Sequence, residues 1–451
     1  MEQPVTLTDM LNARERRAFM QQKLLKKYHA SMICFTMNIA GPVKNSPLIR
    51  RGFELGIRYL KERIEMQRIQ YLHYEEINEI TGNEAYFILC HDPLTIKKIT
   101  SDIEDESELG RLFDMDVLKP NGEKVDRTEL GLSPRTCLIC GDPAKECARS
   151  RTHTVPELQK RTWQILEKAI EDADAKNAAS LACRALLYEV CTTPKPGLVD
   201  RVNSGSHKDM DIFTFMNSAS ALWPYFETCT RIGRKTSGQD AAETFSHLRK
   251  AGRKAEADMF SATKGINTHK GAIFSIGILC AALGRLPREQ WKIPDTVLKE
   301  CAEMTKGLVV SDFTGLTEEN ACTIGQKLYL RYHISGVRGQ MEAGLPAVRK
   351  VGLPVLKNGL ARGLSLNDSG CAALLALMTS ATDTNLIARS DLPTQQKTVA
   401  KIKELLAESP YPDHQTLEQL DREFMEKNLS PGGSADLLAI CYLLYFLENE
   451  V

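Results

Sequence analysis

Residues 156–176, PELQKRTWQILEKAIEDADAK, mark where the chain changes character. Their apolar positions, Leu158, Ile165, Leu166, Ala169 and Ile170, recur at helical spacing. Before this stretch the apolar period keeps switching between strand-like and helix-like, as in an α/β or α+β domain. After it, nearly every segment is rich in Ala, Leu, Cys and Met at helical spacing, and strand-like alternation disappears. The expected fold is therefore an N-terminal α/β (α+β) domain followed by an all-α C-terminal domain. Because the joining stretch is itself helical, the boundary is no flexible linker; it is set at 168/169, giving domains 1–168 and 169–451. A length of 451 residues agrees with two cores.

In the first part, Asn12 to Tyr28 reads as a helix and Met32 to Ile39 as a strand. A turn at Gly41-Pro-Val-Lys-Asn45 leads to a helix from Ser46 to about Arg68. Ala85 to Cys90 and Leu109 to Leu118 are further strand candidates. In the second part, helices are expected at about 178–190, 241–264, 272–283, 298–306, 369–380 and 435–447.

Hydrophobic residues make up 43% of the chain and charged residues 26%, with 58 basic against 58 acidic. No global field draws nucleic acid or an anionic membrane, so neither is an expected partner. The longest apolar run, Gly271 to Gly284, is too short to span a bilayer, and the first residues read as an amphipathic helix rather than a signal peptide. Thirteen cysteines scattered through apolar patterns point to a reducing cytoplasm and mostly buried thiols.

Four polar loops interrupt the helical part. TPKPGLVDRVNSGSHKDMD (193–211) packs Lys195, Asp200, Arg201, Asn203, His207 and Asp209 between helical segments. Cations there suit phosphate, and carboxylates suit metal or proton transfer. GINTHKG (265–271), with Asn267, His269 and Lys270, runs into an apolar helix that Thr268 is expected to cap. DTNLIAR (383–389) brings Asp383 and Asn385. NLSPGGSAD (428–436) brings Gly432, Gly433 and Ser434, whose backbone could approach phosphates, and Asp436 in a first helical turn. Neither a Walker loop nor a strand-borne GxGxxG is present, so a nucleotide would be held by helix N-termini. Each loop alone reads equally as a cap or scaffold; four in one domain favour a shared site.

The runs TPKPGLVDRVNSGSHKDMD, GINTHKGAIFSIG, SGVRGQMEAGLPAVRKVGLP, DTNLIARSD and NLSPGGSADLLA resemble the triphosphoribosyl-dephospho-CoA synthase family. The resemblance implies attack of the 2'-hydroxyl of 3'-dephospho-CoA on the ribose anomeric carbon of ATP. Adenine leaves and the triphosphate stays on the transferred sugar. Such a displacement needs a base, stabilised positive charge at the sugar and a donor for adenine. Lys195, Arg201, Lys270, Arg338 and the Gly432–Ser434 backbone are assigned to phosphates, Asp209, Asp383 and Asp436 to base or magnesium ligand, and His207 or His269 to proton transfer. One departure is Ser390-Asp391 after Arg389, where a Gly-Gly continuation is expected.

Ahead of residue 156, GRLFDMDVL (110–118) would place Asp114 and Asp116 on one face of a strand, where they could share Mg2+, with Arg111 available for developing charge. A lone DxD more often lies in water. The runs ERRAFMQQKLL, FTMNIAGPVKNSPLIRRGFELG, TGNEAYFI, LGRLFDMDVL and RTCLICGDPAKECARSRTH resemble the holo-citrate-lyase acyl-carrier-protein synthase family, a nucleotidyltransferase-type activity. That resemblance implies transfer of phosphoribosyl-dephospho-CoA to a serine of the citrate lyase acyl carrier protein (gamma subunit), with release of diphosphate. Ala40 replaces an expected proline. Lys44, Arg50 and Arg51 become candidates for the triphosphate or the carrier. Cys137, Cys140, Cys147 and His153 have zinc-ligand types, but without a second CxxC pair the preferred reading is separate thiols.

The expectation is a bifunctional transferase using ATP, 3'-dephospho-CoA and Mg2+. Its rivals are a magnesium-dependent nucleotide or ADP-ribose hydrolase fused to a nucleotidyltransferase, and a non-catalytic module that binds CoA or carrier protein.

Overall fold

The structure is a computed structural model and describes residues 3–450. The chain divides between Asp172 and Ala173 into two compact units.

The first unit begins with α1 (Leu7–Tyr28), β1 (Ser31–Met37), α2 (Pro47–Met66), β2 (Tyr71–Glu79) and β3 (Gly82–Leu89). It continues with α3 (Pro93–Glu106), β4 (Phe113–Leu118) and the short α4 (Ala144–Ser150). The unit boundary falls inside α5 (Val155–Cys191). The strands form one antiparallel sheet in the order β2-β3-β1-β4. Alternation sorts the side chains by face. Ile33, Phe35, Phe87, Phe113 and Met115 are buried on one face, where Phe35 stacks on Phe53 of α2. On the other, Met32, Cys34, Tyr86, Ile88 and Leu118 pack under Leu24 and Leu25 of α1.

Two strand expectations need correction. Residues 110–112 form a 3-10 turn, so the last strand starts at Phe113. Strand β2, absent from the sequence reading, is a rim strand with no buried residue, so it lacks the apolar alternation that marks a half-buried strand.

The outer edge of β4 is covered by side chains and a turn. Glu104 Oε1 of α3 accepts from Met115 N (2.9 Å), and Lys97 Nζ donates to Met115 O (3.2 Å). Arg135 Nη1 takes Phe113 O (2.8 Å), and Val125 N takes Val117 O (2.8 Å). Edge strands are commonly protected by such coverage.

The described residues of the second unit contain helices and no strand. After α5 come α6 (Ile212–Ala221), α7 (Trp223–Lys235), α8 (Ala241–Ala262), α9 (Lys270–Arg285) and α10 (Pro294–Met304). Then follow α11 (Leu308–Phe313), α12 (Ile324–Tyr332), α13 (Gly336–Glu342), α14 (Leu353–Ala361) and α15 (Leu366–Ser380). The last are α16 (Thr384–Arg389), α17 (Leu392–Glu408), α18 (His414–Glu426) and α19 (Gly432–Glu450). Helices apolar all round belong inside a bundle, and α9, α15 and α19 are buried along most of their length. Glycines let α7 approach α9: a Cβ on Gly233 would stand 2.0 Å from Ala281 O, and one on Gly284 would stand 2.0 Å from Thr230 O. Among the described residues, no helix is long and apolar enough to cross a membrane.

Candidate active sites

The polar loop that follows α5 is half interior. Thr192 to Asp200 is buried, and its charges face one another. Lys195 Nζ donates to the backbone oxygen of Glu189 (2.8 Å) and to its carboxylate, near the end of α5. Asp200 accepts from Thr193 Oγ1 (2.6 Å) and from the amides of Lys195 (3.2 Å), Val202 (2.7 Å) and Asn203 (3.0 Å). Asn203 Nδ2 donates to Asp421 of α18 (2.8 Å), which also accepts from Gly197 N (2.8 Å). These groups fold the loop. The expectation that Lys195 grips phosphate is corrected by its ion pair: a buried ammonium needs a partner, and Glu189 supplies it.

His207 is tied at both ring nitrogens. Arg389 Nη2 donates to Nδ1 (3.0 Å), so Nδ1 accepts, and the Nε2 hydrogen goes to Ser430 Oγ (2.9 Å). Burial, then the neighbouring Arg389, pushes its pKa down, with Asp209 opposing. A proton-transfer role is thus disfavoured for His207. Asp209, Arg201 and Asn267 are exposed; Arg201 reaches Asn367 Oδ1 (3.0 Å). Lys270 pairs with Glu256 (2.9 Å). Arg338 on α13 is bound to Asp312 (2.7 Å), with its guanidinium near the Phe274 and Phe313 rings. After Arg389, Ser390 Oγ bonds Leu386 O (2.8 Å) and Asp391 caps α17 through Thr394 N (2.7 Å). This turn thus ends one helix and starts the next without the expected glycines.

The N-terminus of α19 holds an anion from within the chain. Asp383 Oδ2 accepts from Ser434 N (2.7 Å) and Ser434 Oγ (2.9 Å). Its Oδ1 accepts from Gly433 N (3.3 Å), Asn385 N (3.0 Å) and Leu386 N (3.1 Å). One buried carboxylate therefore caps α16 and α19 together. The Gly432–Ser434 backbone, expected to cradle phosphate, is instead filled by Asp383. Gly432 lies against exposed Asn385: a Cβ there would stand 2.8 Å from Asn385 Nδ2.

The neighbouring α9 N-terminus is different, because no side chain caps it. Thr268, expected as the cap, instead donates its hydroxyl to Ser218 Oγ (2.7 Å), leaving His269 at the N-cap position. His269 is buried, with Nδ1 2.7 Å from Ser218 Oγ and Nε2 without any partner. Since Ser218 accepts from Thr268, it gives its own hydrogen to Nδ1, so Nε2 bears the hydrogen. Burial, then nearby Lys195, pushes the pKa of His269 down to about 3, so the ring is neutral. Two residues on, a Cβ on Gly271 would lie 1.9 Å from Asp436 Oδ2, which only glycine avoids. Burial pushes the Asp436 carboxyl well above the usual carboxylate range, with Glu189 and Asp383 adding negative charge and no hydrogen bond opposing. An open helix N-terminus and a carboxyl with raised proton affinity thus meet at Gly271, two residues along the chain from a bare imidazole N–H. The group can hold an anion, donate one hydrogen bond and take one proton.

Glu189 was missed in the sequence; the signal was a lone acidic residue in the apolar run LLYEVC. Ser218, which sets the His269 tautomer, carried no signal.

In the first unit, Asp114 and Asp116 point from β4 to the α1 side, opposite Thr36 and Cys34 of β1. Burial, then Asp116, raises the pKa of Asp114, with Lys124 opposing. Asp116 pairs with Lys124 (2.5 Å), another residue the sequence reading missed. Half-buried carboxylates two residues apart are hard oxygen donors, which fits magnesium. Arg111 is half-buried and bonded to Thr136 O, and burial lowers its pKa. Lys44 Nζ donates to Ile39 O (2.5 Å), while Arg50 and Arg51 both lean on Glu54 of α2. Cys137, Cys140, Cys147 and His153 come together, their ligand atoms all within 4.8 Å of one another.

Residues 5–169 match the family model described as apo-citrate lyase phosphoribosyl-dephospho-CoA transferase. Residues 175–451 match that of ATP:dephospho-CoA triphosphoribosyl transferase. Protein CitXG of Haemophilus influenzae is 35% identical over 98% of this chain and 96% of its own length. Protein CitXG of Leuconostoc mesenteroides subsp. cremoris is 34% identical over 99% and 98%. The 2-(5''-triphosphoribosyl)-3'-dephosphocoenzyme-A synthase of Pectobacterium atrosepticum is 40% identical over 59% of this chain and 87% of its own.

Proposed function

The chain belongs to the family of CitX–CitG fusions, and from that premise we propose how its residues divide the chemistry. It is a bifunctional transferase that makes the citrate lyase prosthetic group from ATP and dephospho-CoA and attaches it to an acyl carrier protein. The fused hydrolase and the non-catalytic module are not favoured, because both halves match transferase models along most of their length.

In our reading, residues 169–451 carry the synthesis. The observation behind this assignment is the close approach of Asp436 to the uncapped α9 N-terminus at Gly271, with the unpartnered His269 Nε2–H two residues before it. Asp436 takes the proton of the dephospho-CoA 2'-hydroxyl as its oxygen bonds to the ribose anomeric carbon. The bond from that carbon to adenine breaks with its electron pair going to nitrogen, His269 donates a hydrogen bond to the departing base, and the base takes up a proton from solvent. The α9 amides, with Lys270 at their edge, hold phosphate. Glu189 and Lys195 keep the pocket floor in place, and Asp383 fixes α19 so that Asp436 faces Gly271.

Residues 1–168 carry the transfer. A serine hydroxyl of the carrier attacks the phosphorus next to the ribose, and diphosphate leaves. Asp114 and Asp116 are the residues that would hold magnesium, which when bound would neutralise phosphate charge. Lys124 pairs with Asp116 and orients it, and the exposed Arg50 faces the acidic carrier, which we take to be the citrate lyase gamma subunit. The setting is the cytoplasm, where ATP and CoA precursors are at hand.

The test is mass spectrometry of apo-carrier incubated with the chain, ATP, dephospho-CoA and Mg2+. The carrier should gain the phosphoribosyl-dephospho-CoA mass while adenine accumulates; an unmodified carrier would refute the reading. Adenine release that persists without dephospho-CoA would point to the hydrolase.

A further inference from the structure

Neither transfer reaction uses the three thiols and imidazole gathered ahead of α5. Cys137 and Cys140 sit on a tight knuckle, residues 137–142, closed by Cys137 N on Asp142 O (2.6 Å) and flanked by a bridge between Thr136 and Pro143. Gly141 turns it at φ +80°, a backbone conformation suited to glycine. Ile139 N lies 3.4 Å from Cys137 Sγ, an amide directed at sulfur. Cys147 arrives from α4, its Sγ 3.4 Å from that of Cys137, and His153 follows one turn beyond the helix.

Two independent observations mark this as more than a group of thiols. The four donor atoms fall within 4.8 Å of one another, close to the ~3.5–4 Å ligand spacing that a tetrahedral zinc ion imposes. In addition, His153 Nε2 is buried without a hydrogen-bond partner, although a bare imidazole nitrogen out of water is costly. A zinc ion accounts for both. Three thiolates and one imidazole complete four-coordination and leave no open position, so the site is structural rather than catalytic.

We propose that Cys137, Cys140, Cys147 and His153 bind one zinc ion, which staples residues 135–153 to the edge of β4. Binding converts three thiols to thiolates and releases their protons to solvent, with no change of oxidation state. The staple acts next to the Asp114–Asp116 strand. Arg135, two residues before the knuckle, bonds the backbone oxygens of Phe113 (2.8 Å), Gly110 (3.2 Å) and Arg111 (3.1 Å), and Thr136 O receives Arg111. Zinc would therefore fix the strand that presents both carboxylates.

The experiment uses the full chain purified without chelator from zinc-supplemented medium. Elemental analysis should return about one zinc per chain, and the Cys140→Ser/Cys147→Ser variant less than about a tenth of that. Should that variant fail to fold, cobalt exchange into the unaltered chain reads the ligand set, because thiolate ligation gives an intense sulfur-to-cobalt absorption. Hydrogen exchange should quicken across 135–153 on zinc removal and stay unchanged in α9. Wild-type zinc below about a fifth of an equivalent, cobalt without thiolate absorption, or exchange indifferent to chelation would each overturn the proposal.

Discussion

The Asp383 carboxylate rests on the backbone amide of Ser434, 2.7 Å away, although 51 residues separate them in sequence. The glycine-serine turn before α19 therefore already has its anion. In the proposed division of labour, substrate phosphate is left to α9, whose first turn no side chain caps.

Asp383→Asn should act on stability first. An amide nitrogen would face N–H groups, and the loss of a buried charged acceptor costs about 3 kcal/mol. Denaturant unfolding should show the drop; an unchanged midpoint with a raised KM for ATP would return Asp383 to a magnesium-ligand role.

Lys195→Ala should destabilise by about 3–5 kcal/mol, because it strands the Glu189 carboxylate in the interior. Combining Lys195→Met with Glu189→Leu should recover most of the loss, as the pair is replaced by packed apolar groups. If Lys195 served substrate alone, the single variant would melt like the parent.

Asp436→Asn should cut adenine release by about 100-fold or more. Its effect on stability runs the other way. A carboxyl whose folded pKa is raised keeps its proton where the unfolded chain, near 4, has lost it. Stability from this group is thus full below about 4 and declines as pH rises toward the folded value. The asparagine variant should lose that decline and be the more stable protein at pH 8. The rising limb of the synthesis pH profile should likewise lie above the ordinary carboxylate range.

His269 titrates in the opposite sense. Its pKa falls from 6.5 to about 3 on folding, so its contribution to stability is present above 6.5 and is lost as pH drops toward 3. His269→Gln keeps a hydrogen-bond donor. It should flatten the acid limb of the unfolding profile while slowing adenine departure; loss of the donor in His269→Leu should slow it further.

The two activities should separate by mutation. Asp114→Asn should abolish carrier modification by at least about 100-fold and leave adenine release intact, whereas Asp436→Asn reverses the pattern. Supplying the isolated intermediate should rescue Asp436→Asn alone. A variant of Asp114 that also stops adenine release would contradict the division.

The buried helices were the easiest elements to read. Runs such as residues 272–283 and 435–447 are apolar on every side and long, which only a bundle interior explains. Strand β2 was hidden because none of its side chains enters a core. The site loops were visible as clusters of charge, but their internal bookings were not. Asp383 on α19 and Ser218 under His269 are pairings between distant segments, Glu189 under Lys195 depends on how the loop folds back onto α5, and composition carries no trace of who partners whom. The metal-ligand types before α5 were likewise plain, while their convergence depends on a knuckle and a helix folding toward each other.

The margin of β4 bears on how an acceptor protein can arrive. Phe113 O, Met115 N, Met115 O and Val117 O are all bonded to groups of the chain itself. An incoming segment therefore cannot lengthen the sheet beside Asp114 and dock as a fifth ribbon. In the proposed reading the modified serine would descend onto the carboxylates from above the sheet, carried on a protruding bend, and partner choice would rest on the shape and charge of that bend and not on backbone pairing.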